Sequence, residues 1–200
     1  MSPADKNKSP ADIEPEVFER MVHEMLSYLG EDPERTGLQD TPKRVRKALE
    51  YFTRGYHQNI NDVLNNAIFE EECDEMVIVR NIDFFSLCEH HMLPFYGKAH
   101  VAYIPNGKIV GLSKIPRLVE VFSRRLQIQE RMTQQIARTL NDLIHPKGVG
   151  VVVNGFHLCV AMRGVEKLNA MATTSAMLGT FRENRATRAE FMGLIETKAR

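Results

Sequence analysis

Residues 76–87, MVIVRNIDFFSL, decide how this chain is read. Upstream, apolar residues recur every three or four positions. Here β-branched and aromatic side chains crowd together and the period falls to two, which predicts a strand. The strand runs straight into SLCEHHMLPF (86–95), where Cys88, Glu89, His90 and His91 stand side by side between apolar flanks. Two adjacent imidazoles and a carboxylate are costly to bury without partners, so the segment reads as chemistry and not as core filler.

On the N-terminal side, PEVFERMVHEMLSYLG (15–30) sets Val17, Met21, Met25 and Leu29 four apart, predicting a helix that Gly30 closes. Thr41 and Pro42 predict the cap and first turn of a second helix, continued by Val45, Ala48, Leu49 and Phe52. Arg44 and Lys47 share another face of it. On the C-terminal side, YGKAHVAYIPNGKIVGLSK (96–114) predicts a hairpin turning at Pro105-Asn106-Gly107. Ser113 is placed to cap a helix with Pro116 in its first turn.

RLQIQERMTQQIARTLNDLI (125–144) carries Ile128, Met132, Ile136, Leu140 and Ile144 at four-residue spacing, an amphipathic helix stopped by His145-Pro146 and Gly148. Residues 149–163 and ATTSAMLGTF (172–181) return to strand. A last helix follows, with Thr187 and Glu190 in capping-box spacing. The order indicates an α+β domain with an antiparallel sheet. The expected organisation is a disordered tail over 1–14, a helical region over 15–72 and the sheet-bearing domain over 73–200.

Composition narrows the function. Lys plus Arg and Asp plus Glu number 26 each, so no global field exists to hold nucleic acid or an anionic membrane. No apolar run is long enough to span a bilayer, and the first 16 residues lack the apolar stretch of a secretory signal. Three scattered cysteines do not form a disulfide framework. The expectation is a reducing, cytoplasmic setting with thiols free to act as ligands.

The 149–163 segment supplies the second half of the site. Read as one strand, its odd positions His157, Cys159, Ala161 and Arg163 form a polar wall, while Phe156, Leu158, Val160 and Met162 face a core. Cys88, His91 and Cys159 then offer zinc two thiolates and an imidazole. A closed structural zinc, with His157 or His90 as fourth ligand, is the alternative. The surplus histidine and Glu89 have no role in a closed site, which favours an open one. Zinc there would lower the pKa of a bound water from ~15.7 to ~7, suiting hydrolysis of an electrophilic carbon. The His-x-Glu and Pro-Cys-x-x-Cys pattern of zinc deaminases is missing, as is the His-Glu-x-x-His of zincin proteases.

SLCEHHMLPFYGKAHVAYIPNGKIVGLSKIPRLVEVFSRRLQIQERMTQQIA and HLCVAMRGV resemble GTP cyclohydrolase I, from about Pro15 to the C-terminus. The resemblance implies the first enzyme of pterin and folate biosynthesis, and DEMVIV and MRGVEKLN lean towards the animal-type branch, which usually feeds tetrahydrobiopterin synthesis. The resemblance implies conversion of GTP and water to 7,8-dihydroneopterin triphosphate and formate, with Zn2+ held by Cys88, His91 and Cys159. It implies attack of metal-activated water at C8 of guanine, His157 protonating N7, and His90 and Ser113 serving the later ribose steps.

By the same resemblance Gln129 and Glu130 recognise guanine, with Glu89 alongside. A carboxylate at Glu130 accepts two hydrogen bonds from the N1–H and N2–H₂ edge, which adenine lacks. The bland alternative makes Gln129 and Glu130 the solvated face of a helix. Lys114, Arg117 and Arg163, with Arg44 and Lys47, would hold the triphosphate, whose charge suits guanidinium forks. Arg124, Arg125, Arg131 and Arg138 are left as surface or subunit contacts, and Cys73 as a bystander thiol.

The implied fold is the tunnelling (T-fold) sheet with two packed helices, assembled as a decamer of two pentamers with sites between subunits. A feedback regulatory protein is an implied partner. Ala170-Met171-Ala172 depart from the more polar residues of relatives, which touches local loop contacts and effector binding only. Two other readings stand beside the enzyme: a zinc-stapled, non-catalytic interaction module, and a T-fold relative acting on another purine-like substrate.

Overall fold

The strand predicted at 76–87 is β2, Val77–Cys88, and it organises the larger part of the molecule. The computed structural model describes residues 13–64 and 67–196. The expected tail over 1–14 therefore lies, apart from Ile13 and Glu14, outside the described residues. The chain divides into two compact units, Met1–His57 and Gln58–Arg200.

In the first unit, α1 (Pro15–Tyr28) and α2 (Thr41–Phe52) pack on each other, and a 3-10 turn follows at Arg54–His57. Val22 and Leu26 are its buried side chains on α1. Arg46 Nε donates to Glu19 Oε1 at 2.8 Å, tying the two helices. The expected stop at Gly30 is a Schellman ending. Gly30 takes φ +89°, its N–H bonds the Ser27 carbonyl, and the Glu31 N–H bonds the Leu26 carbonyl.

The second unit opens with α3 (Ile60–Leu64) and β1 (Ile68–Glu70). After β2 come β3 (Pro94–Ile104), β4 (Lys108–Val110), α4 (Lys114–Ser123), β5 (Leu126–Gln127) and α5 (Gln129–Ile144). Next are β6 (Gly148–His157), α6 (Leu158–Ala161), β7 (Met171–Gly179), α7 (Thr180–Glu183) and α8 (Arg185–Glu196). Five strands form one sheet in the order β5-β2-β3-β6-β7, antiparallel except for the short β2–β5 pair. The fold is α+β, as expected.

One sheet face packs on α4 and α5. Phe84, Phe95, Ala99, Val101, Val151 and Val153 meet Ile115, Leu118, Met132, Ile136 and Leu140 there, all nearly inaccessible to water. Burial of this apolar surface is the main favourable term for the unit. On the other face, Phe181 and Phe191 pack on Ala102 and Val152.

Four local expectations are corrected. Residues 96–114 do not form a hairpin: β4 pairs with β1 instead, and the Val110 N–H reaches back to the Tyr103 hydroxyl at 3.0 Å. The long helix starts at Gln129 because Leu126–Gln127 first add a strand beside Leu87 and Cys88. The last helix is capped by Asn184, whose Oδ1 accepts from the Ala186 N–H at 2.8 Å, so Thr187 and Glu190 lie inside it. Most consequential, residues 149–163 are not one strand. β6 ends at His157, where its partners run out: the last ladder pairs are Phe95↔His157 and Phe156↔Met171. Leu158–Ala161 then close a helical turn. The shared strand face of His157, Cys159, Ala161 and Arg163 is therefore not formed, and Met162 is exposed instead of core-facing.

Candidate active site around a thiol–imidazole cluster

Five residues, 89–93, link β2 to β3, and their backbone makes the site. The Cys88 carbonyl accepts from the Met92 N–H at 2.8 Å and from the His91 N–H at 3.4 Å. Met92 takes the left-handed φ of +55°, which returns the chain to Pro94. The Cys88 N–H bonds the Leu93 carbonyl at 2.9 Å, and the Glu89 N–H bonds the Gln127 carbonyl at 3.0 Å, fixing the turn from both sides. This tight turn brings His91 Nδ1 to 3.8 Å from Cys88 Sγ.

Cys159 arrives from α6. The ligand atoms of Cys88, His91 and Cys159 all lie within 4.8 Å of one another. Cys88 is buried, Cys159 half-buried and His91 exposed, so the cluster has a dry side and a wet side. Burial pushes the Cys159 thiol up, and the neighbouring Cys88 sulfur pushes it further, partly opposed by the Arg163 charge. Two sulfurs and an imidazole nitrogen held this close can share one cation, and the donor set suits zinc.

His90 Nδ1 is 3.9 Å from Cys88 Sγ, yet His90 does not join the mutually close set. Its Nε2 stands 3.9 Å from Glu89 Oε1. Arg131 grips Glu89 through two bonds of 2.6 and 2.8 Å, and these hydrogen bonds hold the carboxyl below its usual range against the opposing effect of burial. Arg131 is thus part of the turn's support and not a bare surface charge.

His157 lies at the end of β6. Its ring stacks on Phe95 at 4.5 Å between centroids and 5° between planes. Its Nε2 meets Gln129 Oε1 at 2.8 Å. Burial lowers its pKa, against a smaller opposite pull from Glu130. Gln129 is only 2% exposed, whereas Glu130 is exposed on the first turn of α5.

The remaining expected residues have plain positions. Ser113 precedes α4, and Lys114 and Arg117 lie on it; Lys114 is buried and its Nζ donates to the Val63 carbonyl at 3.2 Å. Arg163 is exposed just after α6. Among the described residues, no hydrogen bond or ion pair ties Ser113, Lys114 or Arg117 to the cluster. Arg44 and Lys47 are exposed on α2 of the other unit, with Arg44 paired to Asp40 at 3.0 Å. Sequence reasoning missed Phe95 and the Arg131 grip on Glu89. Register shows the Phe95–His157 pairing, but no spacing in the sequence reveals the grip.

The family model described as GTP cyclohydrolase I matches residues 18–196. A GTP cyclohydrolase 1 of Chlorobium phaeovibrioides is 59% identical over 189 residues, covering 93% of this chain and 85% of that protein. Another, from Campylobacter concisus, is 59% identical over 182 residues, covering 91% and 96%. Chlorobium chlorochromatii has one 60% identical over 179 residues, covering 90% and 80%. These relatives are bacterial and lend no support to the animal-type lean. A solved structure, the archaeosine synthase QueF-Like in the apo form, overlaps 52% of this chain and 93% of its own at TM-score 0.42 and 17% identity, too remote to add weight. With the match running from the first helix to the last, and identity near three residues in five, the chain belongs to the GTP cyclohydrolase I family.

Proposed function

We propose that this chain hydrolyses GTP to 7,8-dihydroneopterin triphosphate and formate, with zinc held by Cys88, His91 and Cys159. The observation that carries the reading is the convergence of those three ligand atoms within 4.8 Å, from a turn and a helix 68 or more positions apart in sequence. Zinc, when bound, supplies a Lewis acid that makes water nucleophilic near neutral pH. The chain's own residues do the rest.

His157, two positions from Cys159, is the proton donor to N7 of guanine as the imidazole ring opens. His90 and Ser113 serve the ribose steps. Glu130 reads the N1–H and N2–H₂ edge of guanine, beside Glu89, whose carboxylate Arg131 holds. Lys114, Arg117 and Arg163 take the triphosphate, joined by Arg44 and Lys47. Most of this machinery falls within 73–200, the proposed catalytic domain.

Three features of the family belong to the same proposal: a T-fold sheet, a decamer of two pentamers with sites between subunits, and a feedback regulatory partner. The unpaired outer edge of β7 among the described residues, and the exposed row Phe85, Tyr96 and Met171, support assembly over a lone chain. A cytoplasmic location and a place at the start of pterin or folate synthesis are proposed on the same family ground. No described helix is long and apolar enough to cross a membrane.

The closed, structural-zinc reading is disfavoured because His157 is engaged by Gln129 and His90 stands outside the close set. The test is turnover. Purified protein given GTP and zinc should release formate and yield a fluorescent pterin after oxidation. Full zinc loading with no turnover would instead support a silent, zinc-stapled relative, and turnover of a different purine would support the other alternative.

A further inference from the structure

Gln129 is placed oddly for a residue that reads a base. Its side chain is buried, and every polar atom of its amide is engaged within the chain. Nε2 donates towards the Val153 carbonyl at 3.0 Å, the Ala172 carbonyl at 3.0 Å and Thr174 Oγ1 at 3.1 Å. Thr174 Oγ1 is itself 2.7 Å from Thr133 Oγ1, and Thr133 Oγ1 donates to the Gln129 carbonyl at 2.7 Å. The amide therefore bridges β6 and β7 at the head of α5.

Two of those acceptors are backbone carbonyls, which fixes the amide's orientation. A flipped amide would set its oxygen against both carbonyls, leaving buried acceptors unpaired. Oε1 must therefore be the atom that faces His157 Nε2 at 2.8 Å. An amide oxygen only accepts, so Nε2 of the neutral ring must carry the proton. The other nitrogen, Nδ1, has no hydrogen-bond partner among the described residues. Phe95 holds the ring's plane by stacking.

We infer that Gln129 is a positioning residue for His157: it selects the Nε2–H tautomer of the neutral ring and holds that ring so that Nδ1 is the nitrogen left for substrate. Gly155 belongs to the same device. A Cβ on Gly155 would run into Gln129 Oε1 and come within 3.5 Å of His157 Nε2, so glycine is what lets the amide reach the ring. The inference concerns which nitrogen holds the proton of the neutral ring. It rests on the proposed role of His157 for its catalytic meaning, but not for the tautomer itself.

The test combines 15N spectra of histidine-labelled, zinc-loaded protein, recorded above the imidazole titration range, with steady-state kinetics. The His157 signal is assigned by its loss in His157→Asn. Wild type should show a protonated Nε2 and a bare Nδ1, and Gln129→Ala should lose that preference. The same variant should keep its zinc while kcat falls about 10- to 100-fold. Because Gln129→Ala opens a buried hole, Gly155→Ala is the second variant: it keeps Gln129 in the sequence, displaces its amide and should reproduce both changes.

A wild-type ring protonated at Nδ1, or a tautomer unmoved in folded Gln129→Ala and Gly155→Ala, overturns the inference. A large loss of GTP affinity with the tautomer unchanged also overturns it and returns Gln129 to guanine recognition. If His157→Asn keeps full turnover while the tautomer behaves as stated, the role of His157 in the proposed function fails and the positioning of its ring stands.

Discussion

Cys88, His91 and Cys159 were legible in the sequence because thiols and imidazoles beside apolar flanks have few structural uses. The reason given for Cys159 was wrong in detail, since it sits on a helical turn and not a strand face. The residue type still located the site where the element did not. Serine at either cysteine should remove both zinc and turnover. His157→Ala should bind zinc at wild-type stoichiometry and lose ring opening about 100-fold or more, measured as formate release against metal content. Loss of zinc and of folding in His157→Ala would instead make that imidazole a ligand. Arg131 was illegible, because its partner Glu89 lies 42 positions away on another element. Arg131→Leu should free the Glu89 carboxylate and weaken zinc binding about 10-fold, read by competition with a chelator.

At the scale of elements, periodicity found β2, β3, α1, α2, α4 and most of α5, since their buried faces follow a single period over many residues. It failed at ends and short strands. β4 and β5 have three and two residues, so only their partners define them. The end of β6 is set by where β3 and β7 stop, which spacing within 149–163 does not encode. Close backbone approach is likewise invisible locally: a Cβ on Gly97 would collide with the Asn154 carbonyl on the neighbouring strand. Gly97→Ala should cost about 3 kcal/mol, seen as a lower urea midpoint.

β2 and β3 also carry a pH-sensitive packing point. His100 on β3 is buried and accepts from the Asn81 N–H at 3.3 Å, beside a break in β2–β3 register between Val79 and Ile82. Burial lowers its pKa below 6.5, and the charges of Arg80 and Lys98 lower it further. The unfolded chain therefore takes up the proton first. The stability this group contributes is complete above about pH 6.5 and declines as pH falls below it. His100→Asn, which keeps an acceptor without the titration, should flatten that acid decline in thermal melts. An unchanged slope would contradict the assignment.

For the whole molecule, equal numbers of acidic and basic residues exclude a global electrostatic role and leave anion binding to local clusters. The α+β class was readable from element order, but the free edge and apolar row that bear on the proposed assembly were not, because they acquire meaning only after folding. The proposed oligomer should sediment far above the 22.9 kDa of one chain, and a monomer at micromolar concentration would contradict it. The proposed function comes down to one claim: a metal centre of three protein ligands with one position left for solvent. X-ray absorption at the zinc edge of the loaded, substrate-free enzyme tests this most directly. The account predicts two sulfur neighbours, one imidazole nitrogen and one light atom from water. A second imidazole completing the shell would contradict it.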